Sequence, residues 1–202
     1  KSKKKIPAVV EFYDIAGLVR GAAQGEGLGN KFLSHIKEVQ AIVHVVRVFK
    51  GEAVIHVDTS VDPVRDIETI ESELALKDLE TLSRRIDKVS GEARTGKAAA
   101  AKELEVLTRL QEKLGKGELI TEFKDELAVK EMQLLMAKRQ IFLLNGEAND
   151  VDEATKKKIA TLDASYLMMD LGTSAELDTL IKKAYEILDL VSFFTTGEDE
   201  TR

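Results

Sequence analysis

Asp14-Ile15-Ala16-Gly17 stands at the end of the apolar run Ala8-Val9-Val10-Glu11-Phe12-Tyr13 and opens a glycine-rich stretch from Gly21 to Gly29. The run is short, β-branched and aromatic, which predicts a buried strand rather than a helix. Such a strand delivers one carboxylate to a loop. A carboxylate there can hold a divalent metal, and the backbone N–H of a following glycine can turn toward a terminal phosphate, the arrangement phosphoryl-transfer sites use. Alone, four common letters also describe an ordinary strand-to-turn connection.

The stretch around the tetrapeptide is more specific. From Asp14 through Arg20, Gly25-Glu26-Gly27-Leu28-Gly29 and Asn30-Lys31-Phe32-Leu33, the chain resembles the switch II segment of the YchF subfamily of Obg-like P-loop ATPases. Further stretches agree in order, among them Ala41 to Arg47, Val54-Ile55-His56-Val57, Ser60 to Glu68, Glu73 to Glu80, the strand ending at Asn145, Ser174-Ala175-Glu176-Leu177 and Ser192 to Gly197. The resemblance covers the whole chain. It implies an α/β fold, a Rossmann-like parallel sheet of the P-loop NTPase type carrying an inserted antiparallel α-helical coiled-coil hairpin. It also implies that the complete protein binds and hydrolyses ATP or GTP with Mg²⁺ and associates with ribosomes.

No G-x-x-x-x-G-K-S/T phosphate cradle occurs in these residues. Gly25 to Lys31 is no substitute, because Lys31 follows Asn30 and precedes Phe32, and a mobile switch loop is the better reading. The family carries its P-loop and switch I upstream, and Ser192 to Gly197 resembles the entry to a small TGS domain. The expectation is a fragment: residues 1–61 as the first part of the G domain, 62–117 as the helical insertion, 118–191 as the second part, and 192–202 as a linker.

Composition bounds the rest. The 202 residues are 44% hydrophobic and 33% charged, enough for one core with a charged, helix-rich surface. With no Cys, disulfides and sulfur-based zinc sites are excluded, and a reducing cytoplasm is the expected location. No apolar run approaches the roughly 20 residues of a membrane span. A net charge of -6 argues against nucleic-acid binding by the whole surface, though not by a local basic patch.

Along the chain, Leu28 to Val39 has helical spacing, and Ala41 to Phe49 reads as a strand buried on both faces. His44 reads as a hydrogen-bonded strand residue rather than a ligand, because no second imidazole or carboxylate is spaced to join it, and the same applies to His35. His56 follows a Gly51-containing loop that could let it swing. Leu18 occupies the place where Ras-like enzymes keep a water-orienting Gln, and the resemblance implies that His56 supplies that polar group; a packed or surface histidine is the other reading. Asp62-Pro63 reads as N-cap and first helical residue. Ile67, Ile70, Leu74, Leu79, Leu82, Ile86 and Val89 then mark about 28 residues, or roughly 42 Å, of helix. Ser90 to Lys97 is the expected turn, and Leu104, Leu107, Leu110 and Leu114 return on a second helix that ends at Gly115-Lys116-Gly117.

The tip gathers Arg84, Arg85, Lys88, Arg94, Lys97 and Lys102. It is a solvated charged face or a phosphate-contacting surface for ribosomal RNA. Beyond it, Leu119 to Ala137 predicts a loop and then a helix, with its Met residues as core filler. Gln140 to Leu144 resumes the sheet, Val151 to Leu162 is a polar helix with Lys156-Lys157-Lys158 solvated, and Tyr166 to Leu171 is the next strand. The resemblance makes Asn145 the base reader, with Gly146 and Glu147 beside it, Ser174 and Ala175 as a second base-contacting loop, Asp14 as the metal-side acid, and Gly17 and His56 as the catalytic pair. Asn145-Gly146-Glu147-Ala148 places its acid one residue earlier than the family's Asn-x-x-Glu, which leaves the base preference open. A non-catalytic scaffold that docks a partner through the hairpin is the rival reading.

Overall fold

The computed structural model describes residues 6–14, 35–49, 61–162, 164–172 and 177–193. Its centre is a parallel sheet of three strands, β1 (Ala41–Arg47), β2 (Arg139–Asn145) and β3 (Ser165–Met169), ordered β1-β2-β3. The register pairs Ala41 with Arg139 and Arg47 with Asn145, and Ile141 with Ser165 and Asn145 with Met169. Ile141, Phe142, Leu143 and Leu144 are all buried, as a continuous apolar run between two parallel neighbours requires. β1 differs from expectation. Among the described strands it lies at the edge, so Val46 is buried while Val45 remains 57% exposed.

The run Ala8 to Tyr13 is also corrected. It forms no strand and is largely exposed, with Val9 at 84%. A β-rich run becomes a strand only where a ladder receives its N–H and C=O groups, and residues 6–14 pair with none of the three described strands. Their described tie to the body is a bond from the Tyr185 hydroxyl to the Ala8 carbonyl.

Between β1 and β2 the chain leaves the sheet for a helical hairpin. α1 (Pro63–Arg94) starts as expected: Pro63 needs no amide partner and Asp62 accepts the Arg65 N–H at 3.0 Å. It runs on through Ser90 and Gly91, so the turn is confined to Thr95, Gly96 and Lys97, with Gly96 at φ 84°. α2 (Ala98–Gly115) returns along it. Leu82 and Val89 pack in one core with Ala100, Leu107, Leu110 and Leu114.

The root of the hairpin is embedded in the body. Ile67 enters the core under the sheet with Phe142 and Leu144, and Leu74 and Ala75 continue the hairpin's own core to Ile36 and to Leu134, Leu135, Met136 and Ala137. α3 (Leu127–Met132) is shorter than expected, because Gln133 takes a left-handed φ of 52° and ends it. The chain then turns inward, and Leu134, Leu135 and Met136 become core. α4 (Glu153–Thr161), capped by Asp152 accepting Thr155 N–H at 2.8 Å, packs against β3 and α1, and α5 (Leu177–Ile187) is tied to β2 by Arg139, which donates to the Ile187 carbonyl. Lys158 is not solvated as expected. It reaches back to Glu71 at 3.3 Å and Glu68 at 3.5 Å on α1.

Candidate functional site

In an open parallel sheet, ligands bind outside the carboxyl ends of the strands. Here that end is formed by Arg47, Asn145 and Met169 in register. Backbone bonds extend the ladder past it: Val48 N–H donates to the Asn145 carbonyl at 3.0 Å and Gly146 N–H to the Met169 carbonyl at 3.2 Å. The Asn145 side chain, half-buried, accepts the Leu171 N–H on Oδ1 at 3.0 Å. That bond orients the amide. Its Nδ2 has no hydrogen-bond partner among the described residues.

Gly146 is required by geometry. Its φ is 151°, and a Cβ at this position would lie 2.7 Å from Val48 Cγ2 and 3.1 Å from Phe49 N. The turn it makes leads into a single 3-10 turn, Ala148–Asp150, where Asp150 Oδ2 accepts the Glu147 N–H at 2.9 Å. Glu147 itself is exposed. After β3, Asp170 Oδ1 accepts the Gly172 N–H at 2.9 Å, which closes the adjacent loop. Asn145, Gly146 and Glu147 are thus contiguous at one strand end, and Asn145 links them to the loop that precedes Ser174 and Ala175.

Asp14 is exposed at the end of the irregular segment. Gly17, His56, Ser174 and Ala175 lie outside the described residues. Among the described residues no three His, Asp or Glu side chains converge to cage a metal.

The hairpin's cations divide into two groups. Arg84 pairs with Glu80, Arg85 bridges Glu103 at 2.6 Å and Glu131 at 3.2 Å, and Lys97 pairs with Glu92 at 3.1 Å. Lys88, Arg94 and Lys102 are exposed and hold no ion pair among the described residues.

Sequence reasoning missed a buried joint between hairpin and body. Asp78 on α1 accepts the N–H groups of Leu135 at 2.8 Å and Met136 at 2.7 Å. Burial pushes its carboxyl up to about 6, against the pull of those two bonds and of Lys37 and Lys138. Lys138 in turn donates to the carbonyls of Lys37, at 2.9 Å, and Val39, just past helical residues 35–38. The signal was present: Asp78 sits one turn from both Leu74 and Leu82, on the face that α1 buries. His44, expected as a hydrogen-bonded strand residue, is held instead by stacking on Phe142, with ring centroids 4.8 Å apart, and its Nε2 has no partner among the described residues. Burial lowers its pKa to about 4, with the Gln140 side chain opposing weakly.

Comparison with known proteins agrees with this architecture. A family model for 50S ribosome-binding GTPases matches residues 2–85. The solved YchF GTPase of Schizosaccharomyces pombe superposes with a TM-score of 0.73 at 29% identity, covering 99% of this chain and 64% of that one. The ribosome-binding ATPase YchF of Bacillus subtilis is 38% identical over 99% of this chain. The Obg-like ATPase 1 of Oryza sativa subsp. indica is 34% identical over all of it. The chain spans 64% of the length of the Bacillus subtilis relative and 60% of that of the Oryza sativa relative.

The parallel sheet with its long helical insertion is that of a P-loop NTPase. Within that class, the chain is similar over its whole length to YchF-type Obg-like ATPases.

Proposed function

We propose that the complete protein is a Mg²⁺-dependent nucleoside triphosphatase that cleaves the β–γ bond of ATP or GTP and works on the ribosome from the cytoplasm. The observation that carries this reading is the base end of the sheet. Asn145 Oδ1 is occupied by Leu171 N–H, which leaves Nδ2 to donate to a purine, and Gly146 brings the following loop back against the strand. In this reading Asn145, Gly146 and Glu147 form one side of the base pocket, and the segment with Ser174 and Ala175 forms the other. Asp14 holds the metal through water, Gly17 meets the γ-phosphate, and His56 orients the attacking water. When bound, Mg²⁺ neutralises charge on the phosphates. The chain divides at residues 61, 117 and 191 into G domain, helical insertion, G domain and linker.

The names of the relatives support this reading: they are called ribosome-binding ATPases in Bacillus subtilis and Escherichia coli, and the solved relative is called a GTPase. The test is fluorescent-nucleotide binding to the full-length protein with and without Mg²⁺. Saturable binding strengthened by Mg²⁺ is expected, and no binding in either condition overturns the reading.

A second reading concerns the hairpin. Lys88, Arg94 and Lys102 are exposed at its far end and unpaired among the described residues, which suits phosphate contact. Arg84, Arg85 and Lys97 hold carboxylates, so they are weaker candidates for that contact. Reversing Lys88, Arg94 and Lys102 to Glu is expected to abolish ribosome co-sedimentation, and unchanged co-sedimentation removes the RNA-contact role.

A further inference from the structure

Of the three asparagines in the chain, only Asn145 is followed by glycine; Asn30 precedes Lys31 and Asn149 precedes Asp150. Asparagine before glycine is especially prone to losing its side-chain amide, because glycine leaves the next backbone nitrogen unhindered. The fold holds this pair in a geometry that does not react. Ring closure brings the Gly146 nitrogen onto Asn145 Cγ and needs Cβ and that nitrogen nearly eclipsed about the Cα–C bond. A parallel strand, with ψ of roughly +115°, turns the two apart. Asn145 is the last residue of β2, in register with Arg47 and Met169. Two bonds from the end of β3 keep it there: the Met169 carbonyl accepts the Gly146 N–H at 3.2 Å, and the Leu171 N–H donates to Asn145 Oδ1 at 3.0 Å. β3 is an outer strand among those described, exposed at Ser165 and Tyr166 and leading into exposed Leu171 and Gly172. An edge held by so few bonds is the kind of unit that opens without global unfolding.

We propose that Asn145 is a site of spontaneous covalent modification by water, and that the two bonds from β3 gate it. When the gate opens, the Gly146 N–H gives its proton to hydroxide and the nitrogen bonds to Asn145 Cγ. The Cγ–Nδ2 bond breaks, and the amide nitrogen takes a proton from water and leaves as ammonia. Water then adds to the five-membered imide. Cleavage at Cγ gives aspartate, and cleavage at the backbone carbonyl gives isoaspartate, with the chain rerouted through the side chain. One water is consumed and one ammonia released, with no oxidant or reductant. Both products lack the Nδ2 donor, so under the nucleotide reading a modified chain loses its base contact; the modification itself does not depend on that reading.

The experiment incubates the full-length protein at mildly alkaline pH, in native buffer and in denaturing guanidinium chloride. Peptide mass spectrometry follows Asn145 and Asn149, the latter exposed in the next turn and serving as an internal reference. In denaturant Asn145 should convert roughly tenfold faster than Asn149 or more. In native buffer Asn145 should slow by roughly tenfold or more against its own denatured rate. Leu171→Pro, which removes one gating donor, should recover much of that lost rate and leave Asn149 unchanged. Since this variant can misfold, the wild type is also taken through guanidinium concentrations below its unfolding transition. There, conversion at Asn145 should rise in step with hydrogen exchange at the Gly146 amide. Equal native and denatured rates at Asn145, an unchanged rate in a folded Leu171→Pro, or conversion that does not follow Gly146 exchange overturns the gate. Conversion in denaturant no faster at Asn145 than at Asn149 overturns the site itself.

Discussion

At the scale of single residues, two buried titratable groups pull stability in opposite directions with pH. His44 has a pKa near 4 in the folded chain against 6.5 unfolded. Between those values the unfolded chain binds the extra proton, so this contribution is complete above pH 6.5 and is lost as pH falls toward 4. Asp78 is raised from 3.8 to about 6. Here the folded chain binds the extra proton, so the contribution is complete below pH 3.8 and is lost as pH rises through 6. Each shift corresponds to roughly 3 kcal/mol at full extent. Urea unfolding at pH 4, 5 and 6 should therefore show a shallow profile for the wild type. H44F should lose stability as pH rises across that range, and D78N should gain it. Parallel profiles for all three proteins would contradict the assignment. Gly146 provides a simpler test: Gly146→Ala meets Val48 and an unfavourable φ together and should cost on the order of 2–4 kcal/mol in the same assay.

At the scale of elements, the hairpin is anchored by polar contacts that its periodicity conceals. The carboxylate of Glu71 is almost fully buried and leans on Lys158, whose own side chain is 22% exposed. Lys158→Met should cost about 2–3 kcal/mol by leaving a buried acid without its partner, and adding Glu71→Met should recover most of it. Thermal melts of the single and double variants check this, and equal loss in both would show that the pair carries no coupling. β2 and the two long helices were readable because a continuous apolar run and a 3,4 rhythm each match a single structure. Ala8 to Tyr13 was misread because composition reports a preference for the ladder and not the presence of one. Lys158 was misread because a run of three lysines does not reveal which of them meets a neighbouring helix. Asp78 was readable in principle, as a polar residue on the leucine face of α1. Its partners, the backbone amides of Leu135 and Met136, lie too far along the chain for any local pattern to show.

At the scale of the whole molecule, the sheet is built from strands separated by a long insertion, and the insertion is bonded to the body near its root. Asp78 fixes the segment that leads into β2, and Lys138 in that segment caps the end of helical residues 35–38. β2, the helical residues 35–38 and the hairpin therefore share one junction. Of the residues read as a site, Asn145, Gly146 and Glu147 come together because a single strand end carries them. The account depends most on the free amide nitrogen of Asn145 meeting a nucleotide. The direct measurement compares full-length wild type with Asn145→Asp, which keeps the oxygen that holds Leu171 N–H and removes the donor, by Mg²⁺-dependent titration with a fluorescent ATP or GTP analogue. The account predicts binding to the wild type and at least tenfold weaker binding to the variant, about 1.4 kcal/mol or more, with the two proteins equally folded. Equal affinity in the two proteins would contradict it.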